Sequence, residues 1–268
     1  MKKLLALFLL LSVTLTGLIS CGGKKSDDQA IKDKGYFVCG ITYYAPMNYF
    51  DDDSNLVGFD TEFAQAVADY LELEVKFQII DWGSKFLELN SGSIDAIWNG
   101  FTIDDERRQE VDFSYSYMNN SQCIVVKAAN LDTYTGTASL EGKRAVAETG
   151  SAGETIVQGM NASEEVVTYT GVSAQTTALM EVQAGTADFA VIDVLMAQSM
   201  VGSGDFADLA LVSAIQLTPE EYGIGFRKGS DFTARVNEAI AALSADGTLD
   251  TIAAKYGVSN ALIPDIGE

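Results

Sequence analysis

The chain has 268 residues, with 38 acidic against 17 basic side chains and a formal net charge of −21. A surface this acidic repels phosphate backbones, which excludes a nucleic-acid partner. Histidine is absent, so catalysis by an imidazole base and zinc sites built on imidazole are excluded as well. Apolar residues make up 47% of the chain and charged residues 21%, the composition of an ordinary globular protein of one or two domains.

Residues 1–20 have the pattern of an export signal. Lys2 and Lys3 form a positive start, and Leu4–Leu11 is an unbroken apolar run that continues more weakly to Ile19. The run is too short and too interrupted for a membrane span. It ends in Leu-Ile-Ser-Cys-Gly, which resembles the lipobox of bacterial lipoproteins. The resemblance implies cleavage before Cys21 and a lipid anchor on its sulfur; a plain signal peptide with an incidental cysteine is the alternative.

Residues 21–34 are predicted to be a lipid-anchored flexible linker, because they are mostly small, polar or charged and show no apolar period. Beyond the linker, Cys39 and Cys123 each lie in an apolar run typical of a strand. Outside the cell they could form a disulfide, and a pair of buried free thiols is the equal alternative. Two distant thiols are too few ligands for a metal site, so none is predicted.

From Gly35 onward, apolar runs typical of strands alternate with helical patterns. Phe37–Ile41 is predicted to be a strand, and Phe59–Leu71 a helix, because its apolar residues recur along one face. Further strands are predicted at 75–79, 94–98, 144–147, 166–169 and 189–192, and further helices at 84–91, 102–109, 153–160, 175–184, 231–245 and 249–256. Thr102 is the predicted N-cap of the 102–109 helix. Alternating strands and helices predict an α/β fold with mostly parallel sheets.

The chain contains a short internal sequence repeat, called the internal echo below. Glu88–Asp95 resembles Glu181–Asp188: in each, a helix end is followed by a glycine stop, and an aspartate opens the next strand. The echo indicates two similar α/β lobes, and it puts Gly100 and Asp193 at corresponding strand ends. Because ligands of open α/β sheets bind outside the carboxyl ends of strands, both residues are candidates for a shared cleft.

Two motifs resemble those of a known protein family. The run Gly58–Phe63 resembles the signature of family 3 bacterial solute-binding proteins, which bind polar amino acids. Gly100–Ile103, followed by Arg107 and by Val111–Ser114, resembles a second, longer motif of the same family. The similarity covers almost the whole chain beyond the export signal. It implies a type II periplasmic-binding-protein fold, in which two lobes, each a mostly parallel sheet flanked by helices, are joined by two hinge strands.

The same resemblance implies a lobe 1 of residues 35–121 and 221–268 and a lobe 2 of residues 122–220, with crossing strands near Asn119–Val125 and Gln216–Gly223. It implies capture of a free amino acid, polar or small, by hinge closure and delivery to the transmembrane subunits of an ABC permease. We therefore expect an extracytoplasmic monomer that is held at the membrane by its lipid, with no cofactor and no enzymatic activity.

Two charged residues are assigned to the two ends of the ligand. Arg107 matches the arginine that holds the α-carboxylate, for which a guanidinium offers a planar pair of donors. A surface ion pair with Asp104 or Glu106 is its alternative role. Asp193 matches the carboxylate that binds the α-ammonium, and the N-cap of the following helix is its alternative role.

The remaining assignments come from the same resemblance. Gly100 and Thr102 match positions that offer a carbonyl and a hydroxyl to the ligand, and Ser151 matches a residue that helps to hold the carboxylate. Tyr44 and Trp82 match aromatic walls whose faces would enclose the ligand side chain. For both aromatic residues, plain core packing is the alternative.

The identity of the amino acid is not predicted. An acidic residue that many basic-amino-acid binders have in the first loop is replaced here by Thr42 or Tyr43, which disfavours lysine or arginine. Glu148 and Asn99 could restore polarity near the ligand side chain.

Two other functions are compatible with the sequence. Cyclic-acid dehydratases share this fold in distant relatives, and such an enzyme needs a general acid or base in the cleft, which Asp193 or Glu148 could supply. The second is a stand-alone amino-acid sensor, and nothing in the sequence distinguishes such a sensor from an importer component.

Overall fold

The structure is a computed structural model that describes residues 25–160 and 163–267. The predicted export signal and the predicted lipid-anchored Cys21 lie outside the described residues. Within the described part of the chain, no helix is apolar over the length that a bilayer requires.

Helices and strands alternate along the chain, as the sequence predicts. The helices are α1 (Asp27–Lys34), α2 (Phe59–Tyr70), α3 (Lys85–Ser91), α4 (Arg107–Glu110), α5 (Ala152–Gly159), α6 (Ala174–Ala184), α7 (Val194–Met200), α8 (Phe232–Ala245) and α9 (Thr248–Lys255). The strands are β1 (Tyr36–Ile41), β2 (Tyr49–Phe50), β3 (Leu56–Val57), β4 (Glu74–Ile79), β5 (Ala96–Thr102), β6 (Val111–Phe113), β7 (Met118–Lys127), β8 (Lys143–Glu148), β9 (Ser163–Tyr169), β10 (Phe189–Asp193), β11 (Leu209–Leu211) and β12 (Pro219–Arg227).

Ten strands form one continuous sheet in the order β4-β1-β5-β12-β7-β10-β8-β9, with β6 paired to β12 and β11 paired to β7. The pairs β1–β4, β1–β5, β8–β10 and β8–β9 are parallel. Parallel neighbours need long crossover connections, and helices α2, α3, α5 and α6 lie in those connections. Strands β12 and β7 run antiparallel to their neighbours.

Strands β7 and β12 cross between the two ends of this sheet. They pair with each other where Met118–Ser121 meets Pro219–Tyr222. Farther along, β7 pairs with β10 through Gln122–Val125, whereas β12 pairs with β5. We use lobe 1 for the part built on β4, β1, β5 and β6, and lobe 2 for the part built on β10, β8, β9 and β11.

Each lobe has an apolar core on both faces of its sheet. In lobe 1, Trp98 lies in one buried cluster and the preceding Ile97 in another. In lobe 2, Ile192 and Val191 are divided between two clusters in the same way. Neighbouring side chains of a strand point to opposite faces. Because an apolar cluster covers each face of the sheet, β5 is buried along its whole length. This burial explains why the sequence of β5 is mostly apolar.

The internal echo of the sequence corresponds to the same turn in both lobes. Gly92 and Gly185 end α3 and α6 in the left-handed conformation, with φ of 81° and 84°. Asp95 and Asp188 then accept a backbone N–H from the neighbouring strands β1 and β8, at 2.9 and 2.8 Å. The equivalent turns confirm the predicted repeat and put Gly100 and Asp193 at the same distance along the chain from their aspartates, although β5 continues to Thr102 whereas β10 ends at Asp193.

The last part of the predicted flexible linker, residues 27–34, is helical instead. Ser26 caps the first turn of α1 with its side-chain oxygen, and Gly35 ends the helix with φ of 75°. Ile31 is buried, and a carboxylate at the start of the helix forms an ion pair with Arg227. The linker prediction was wrong here because a helix with a single buried apolar residue has no hydrophobic periodicity to detect. This helix is stabilised instead by its caps and by the ion pair with Arg227.

The two cysteines of the described part of the chain are free thiols. Cys39 is buried in β1 of lobe 1, and Cys123 is partly buried in the crossing strand β7. Burial raises the pKa of both thiols. Of the two alternatives that the sequence allowed, the structure shows the free thiols.

Candidate functional site

One cavity between the lobes is lined by all seven residues of the predicted site. Lobe 1 contributes Tyr44, Trp82, Gly100, Thr102 and Arg107, and lobe 2 contributes Ser151 and Asp193. Asn99, Glu148, Ala152 and Gln175 complete the lining.

Arg107 is buried at this cavity, and protein contacts orient its guanidinium. Nη1 donates to the carbonyl of Thr102 at 2.9 Å, and Nη2 donates to the carbonyl of Gly150 at 3.3 Å. Nε lies 3.2 Å from a carboxylate oxygen of Asp104, and Cζ lies 5.0 Å from the ring centre of Phe101. The ion pair with Asp104 is thus present, but it occupies Nε alone. Nη1 and Nη2 each have a second N–H, so these two nitrogens can still bind a carboxylate together.

Thr102 is the last residue of strand β5 and is not the N-cap of a helix. It pairs with Tyr222 of β12, and helix α4 begins only at Arg107. The predicted N-cap was wrong: the N-cap residue of α4 is Glu106, and the first N–H of the helix, that of Arg107, donates to Asp104 Oδ1 at 2.7 Å. No helix N-terminus therefore lies at Thr102, whose carbonyl instead orients Arg107.

Asp193 ends strand β10, and its carboxylate accepts four side-chain hydrogen bonds. Oδ1 accepts from Asn120, Gln122 and Tyr222 at 2.6–2.8 Å, and Oδ2 accepts from Gln175 at 2.8 Å. Asp193 precedes α7 without a side-chain capping bond, so its alternative role as an N-cap is not realised. Donors on both crossing strands and on α6 therefore fix the orientation of this carboxylate.

Gly100 allows the ring of Tyr44 to lie against the end of β5. Gly100 has φ of +55°, and a Cβ there would lie 2.4 Å from Cε1 of Tyr44. The hydroxyl of Tyr44 is 2.6 Å from that of Tyr222, which donates to Asp193 at 2.7 Å. Tyr44 is therefore both packed in the core of lobe 1 and linked through one hydroxyl to the carboxylate of the cavity.

Trp82 packs in the core of lobe 1 and also lines the cavity. Its ring meets Phe101 edge-on, at 5.6 Å between ring centres. Lys85 Nζ lies 4.9 Å from the Trp82 ring and donates to the carbonyls of Trp82 and Gly150, at 3.2 and 3.0 Å. Burial lowers the pKa of Lys85 to about 7, and the charge of Arg107 acts in the same direction.

Ser151 begins helix α5 at the cavity. Its Oγ accepts the backbone N–H of Glu154 at 3.0 Å, as an N-cap does. Ser151 and Ala152 both line the cavity, so the first turn of α5 lies against it. The N-terminus of a helix favours anions, and the capping contact leaves the hydroxyl hydrogen of Ser151 available to a ligand.

Glu148, which was expected near the ligand side chain, and Gln175, which was not predicted, also line the cavity. Glu148 ends strand β8 and is only 3% exposed. Gln175 Nε2 donates to Glu148 at 3.2 Å and to Asp193 at 2.8 Å, and its Oε1 accepts the backbone N–H of Asp193 at 3.2 Å. Burial raises the pKa of Glu148 to about 8, and the charge of Asp193 adds to the rise.

A signal for Gln175 was present in the sequence. Ala178, Leu179 and Val182 form the buried face of α6, and Gln175 lies one turn before them on the same face. A buried amide is costly unless it is hydrogen-bonded, so a polar residue in an apolar stripe indicates a network or a ligand.

Lobe 1 thus offers a guanidinium to the cavity, and lobe 2 offers two carboxyl groups and the start of a helix. Charges of opposite sign on two lobes suit a small molecule that has an anionic and a cationic group of its own. The site therefore has the means to hold a zwitterion by its two ends.

Comparison with known proteins places the chain in a family. The model of the bacterial extracellular solute-binding proteins, family 3, matches residues 37–259. The chain belongs to this family. The recognition made from residues 58–63 and 100–114 is confirmed.

Two curated relatives and one solved structure show how far the likeness extends. The L-cystine-binding protein TcyJ of Escherichia coli (strain K12) is 30% identical over 228 residues, which cover 84% of each chain. The arginine-binding extracellular protein ArtP of Bacillus subtilis (strain 168) is 30% identical over 260 residues, or 96% of this chain and 98% of ArtP. An ABC uptake transporter substrate-binding protein from Streptococcus pneumoniae with bound histidine has a TM-score of 0.78 and 29% identity, over 86% of this chain and 96% of that one.

The family 3 fold agrees with the sheet described above. Solved relatives are type II periplasmic binding proteins, and this chain has a mixed α/β structure in which helices flank one large sheet. The fold predicted from the sequence is confirmed. The relatives named here are substrate-binding proteins.

Proposed function

We propose that this family 3 protein captures a free amino acid and delivers it to an ABC permease. The observation that carries the proposal is that Arg107 of lobe 1 and Asp193 of lobe 2 line the same cavity. An α-amino acid has a carboxylate and an ammonium on one carbon, so one residue serves each end. Relatives named for cystine and arginine, and a solved relative with bound histidine, support amino acids as the ligand class.

Each lining group has a part in holding the backbone of the ligand. Arg107 binds the α-carboxylate with one N–H from each terminal nitrogen, and Ser151 adds its hydroxyl and the N-terminus of α5. Asp193 binds the α-ammonium, with its orientation preset by four donors. The carbonyl of Gly100 and the hydroxyl of Thr102 complete the set, while Tyr44 and Trp82 wall the cavity.

Capture takes place by closure of the two lobes on β7 and β12. The structure contains contacts that exist only when the lobes are together: Tyr43 N–H donates to the carbonyl of Val172 at 2.7 Å, and Gly171 N–H donates to Asp81 Oδ2 at 2.8 Å. A ligand that touches both lobes adds to these contacts only in the closed state. Its binding energy therefore shifts the equilibrium toward closure.

The cellular setting follows from the same function. We assign residues 35–121 and 221–268 to lobe 1, and residues 122–220 to lobe 2. The protein acts as a monomer outside the cytoplasm, tethered by a lipid on Cys21 beside the permease. It performs no chemistry on its ligand.

A thermal-shift panel of the common amino acids and L-cystine tests the proposal. A ligand that binds only the native state raises stability by about 2.7 kcal/mol at ~100 times its Kd, which corresponds to roughly 5–10 °C for a chain of this size. We expect at least one amino acid to produce such a shift. No shift with any of them refutes the proposal, and turnover of a cyclic acid such as arogenate supports a dehydratase instead.

A further inference from the structure

Glu148 is a buried carboxyl group that the ligand backbone does not use. It lines the cavity from the end of β8 and is 3% exposed. In the described residues its side chain has one hydrogen-bond partner, Gln175 Nε2, at 3.2 Å from Oε2. A buried carboxyl group with so few donors is unusual, because burial of an anion is costly without partners.

The charges around the cavity are unequal once an amino acid is placed in it. Arg107 is used by the α-carboxylate and Asp193 by the α-ammonium, which leaves Glu148 without a counterpart. In the described residues Lys85 forms no ion pair with Glu148, although its charge lowers the pKa of that carboxyl group; its Nζ donates to the carbonyls of Trp82 and Gly150.

The distance between the two carboxyl groups fits a ligand with two cationic groups. Gln175 Nε2 donates to Glu148 Oε2 at 3.2 Å and to Asp193 Oδ2 at 2.8 Å. These two oxygens therefore lie no more than about 6 Å apart, the sum of the two bonds to one nitrogen. An α-ammonium and a side-chain cation of one basic amino acid span a similar distance.

We propose that Glu148 is the specificity-determining residue of this cavity and that it selects amino acids whose side chain is cationic. The inference rests on the proposed function, and it reverses the expectation from Thr42 and Tyr43. The selecting carboxylate lies on lobe 2 rather than in the first loop of lobe 1.

The protonation of Glu148 gives the inference a second readout. Burial raises its pKa to about 8; the nearby carboxylates Asp193 and Asp81 act in the same direction, and Lys85 acts against it. At neutral pH the empty site therefore holds a proton on Glu148. A ligand cation that pairs with this group releases that proton to solvent, and a neutral ligand leaves it in place.

Calorimetric titration of matched ligands tests the inference. Citrulline is a neutral isostere of arginine, and norvaline lacks the amino group of ornithine. We expect wild-type protein to prefer the cationic member of each pair by about 10-fold to 100-fold. The Glu148→Gln variant is expected to lose most of this preference, while Glu141→Gln, the same change at an exposed position of lobe 2, keeps it.

Proton release is measured on the wild-type protein alone, by titrating arginine in buffers of different ionisation enthalpy at pH 7. We expect release with arginine and none with citrulline. Equal affinity for both members of a pair, or a preference that survives in Glu148→Gln, overturns the inference while the proposed function stands. Failure of every amino acid to bind overturns both.

Discussion

Replacement of Arg107 by alanine removes the group proposed to hold the α-carboxylate. Nη1 and Nη2 each donate one N–H to a protein carbonyl, that of Thr102 or Gly150. These two bonds orient the second N–H of each nitrogen, which is the one proposed to bind the ligand. The carbonyl of Gly150 keeps Lys85 as a donor at 3.0 Å in the variant. The fold therefore loses little, and the main loss falls on the ligand.

The size of that loss follows from the number of bonds. A hydrogen bond between charged groups contributes about 1.5–3 kcal/mol, so two of them contribute about 3–6 kcal/mol. Because 1.4 kcal/mol is tenfold in affinity, we expect Kd to rise by roughly 100-fold to 10,000-fold. Isothermal titration with the best amino acid of the thermal-shift panel measures the change.

Two variants make the result interpretable. Arg108→Ala removes a neighbouring arginine whose side chain is exposed and is expected to change Kd by no more than about twofold. Arg107→Lys keeps the charge but not the planar pair of donors, and is expected to weaken binding by about tenfold or more. If Arg107→Ala binds as tightly as wild type, the assignment of the carboxylate site is wrong.

Three further predictions follow from the cavity. Gly100→Ala adds a Cβ 2.4 Å from the Tyr44 ring at φ of +55°, and is expected to lower the free energy of unfolding by about 2–4 kcal/mol in urea titration. Asp193→Asn turns an acceptor of four hydrogen bonds into a group with donors of its own; we expect loss of measurable amino-acid binding and a Tm lower by several degrees. Asp60 is buried in α2, where its Oδ2 accepts the backbone N–H of Gly100 at 2.7 Å. Burial raises the pKa of Asp60 to about 7 and of Glu148 to about 8. The folded state therefore holds protons that the unfolded state has released above about pH 5, and the stability of the ligand-free protein is expected to fall as pH rises from 5 to 7. Above pH 7 the lowered pKa of Lys85 acts in the opposite direction.

A specific result would contradict each of these three predictions. Unchanged stability of Gly100→Ala would mean that the ring of Tyr44 moves aside freely. Full binding by Asp193→Asn would remove the ammonium site from lobe 2. A urea midpoint that rises between pH 5 and 7 would contradict the raised pKa values, and Glu148→Gln should flatten the predicted fall.

Most elements of the fold could be predicted because their signals are local. Strand β5 is mostly apolar since both its faces are covered, and α2 shows a single apolar stripe. The turns after Gly92 and Gly185 are equivalent because the same short sequence pattern produces the same left-handed stop. The seven residues taken from the family resemblance line one cavity.

The predictions that were wrong or absent concern contacts between segments that are distant along the chain. Helix α1 depends on a partner at Arg227, far along the chain. Thr102 continues β5 because β12 pairs with it, although its neighbours favour a helix start. Gln175 was not predicted because it contacts Asp193 and Glu148 only when β8, β10 and α6 pack together.

The order of strands and helices, the repeated lobe and the kinds of charged group in the site were determined by the sequence itself. These properties depend on side-chain periodicity and residue identity, which neighbours along the chain specify. Tertiary structure alone decided which oxygens Gln175 bridges and how far the cavity buries Glu148. Hydrogen-bond partners and pKa values depend on groups brought close from distant segments, and no local pattern encodes that proximity.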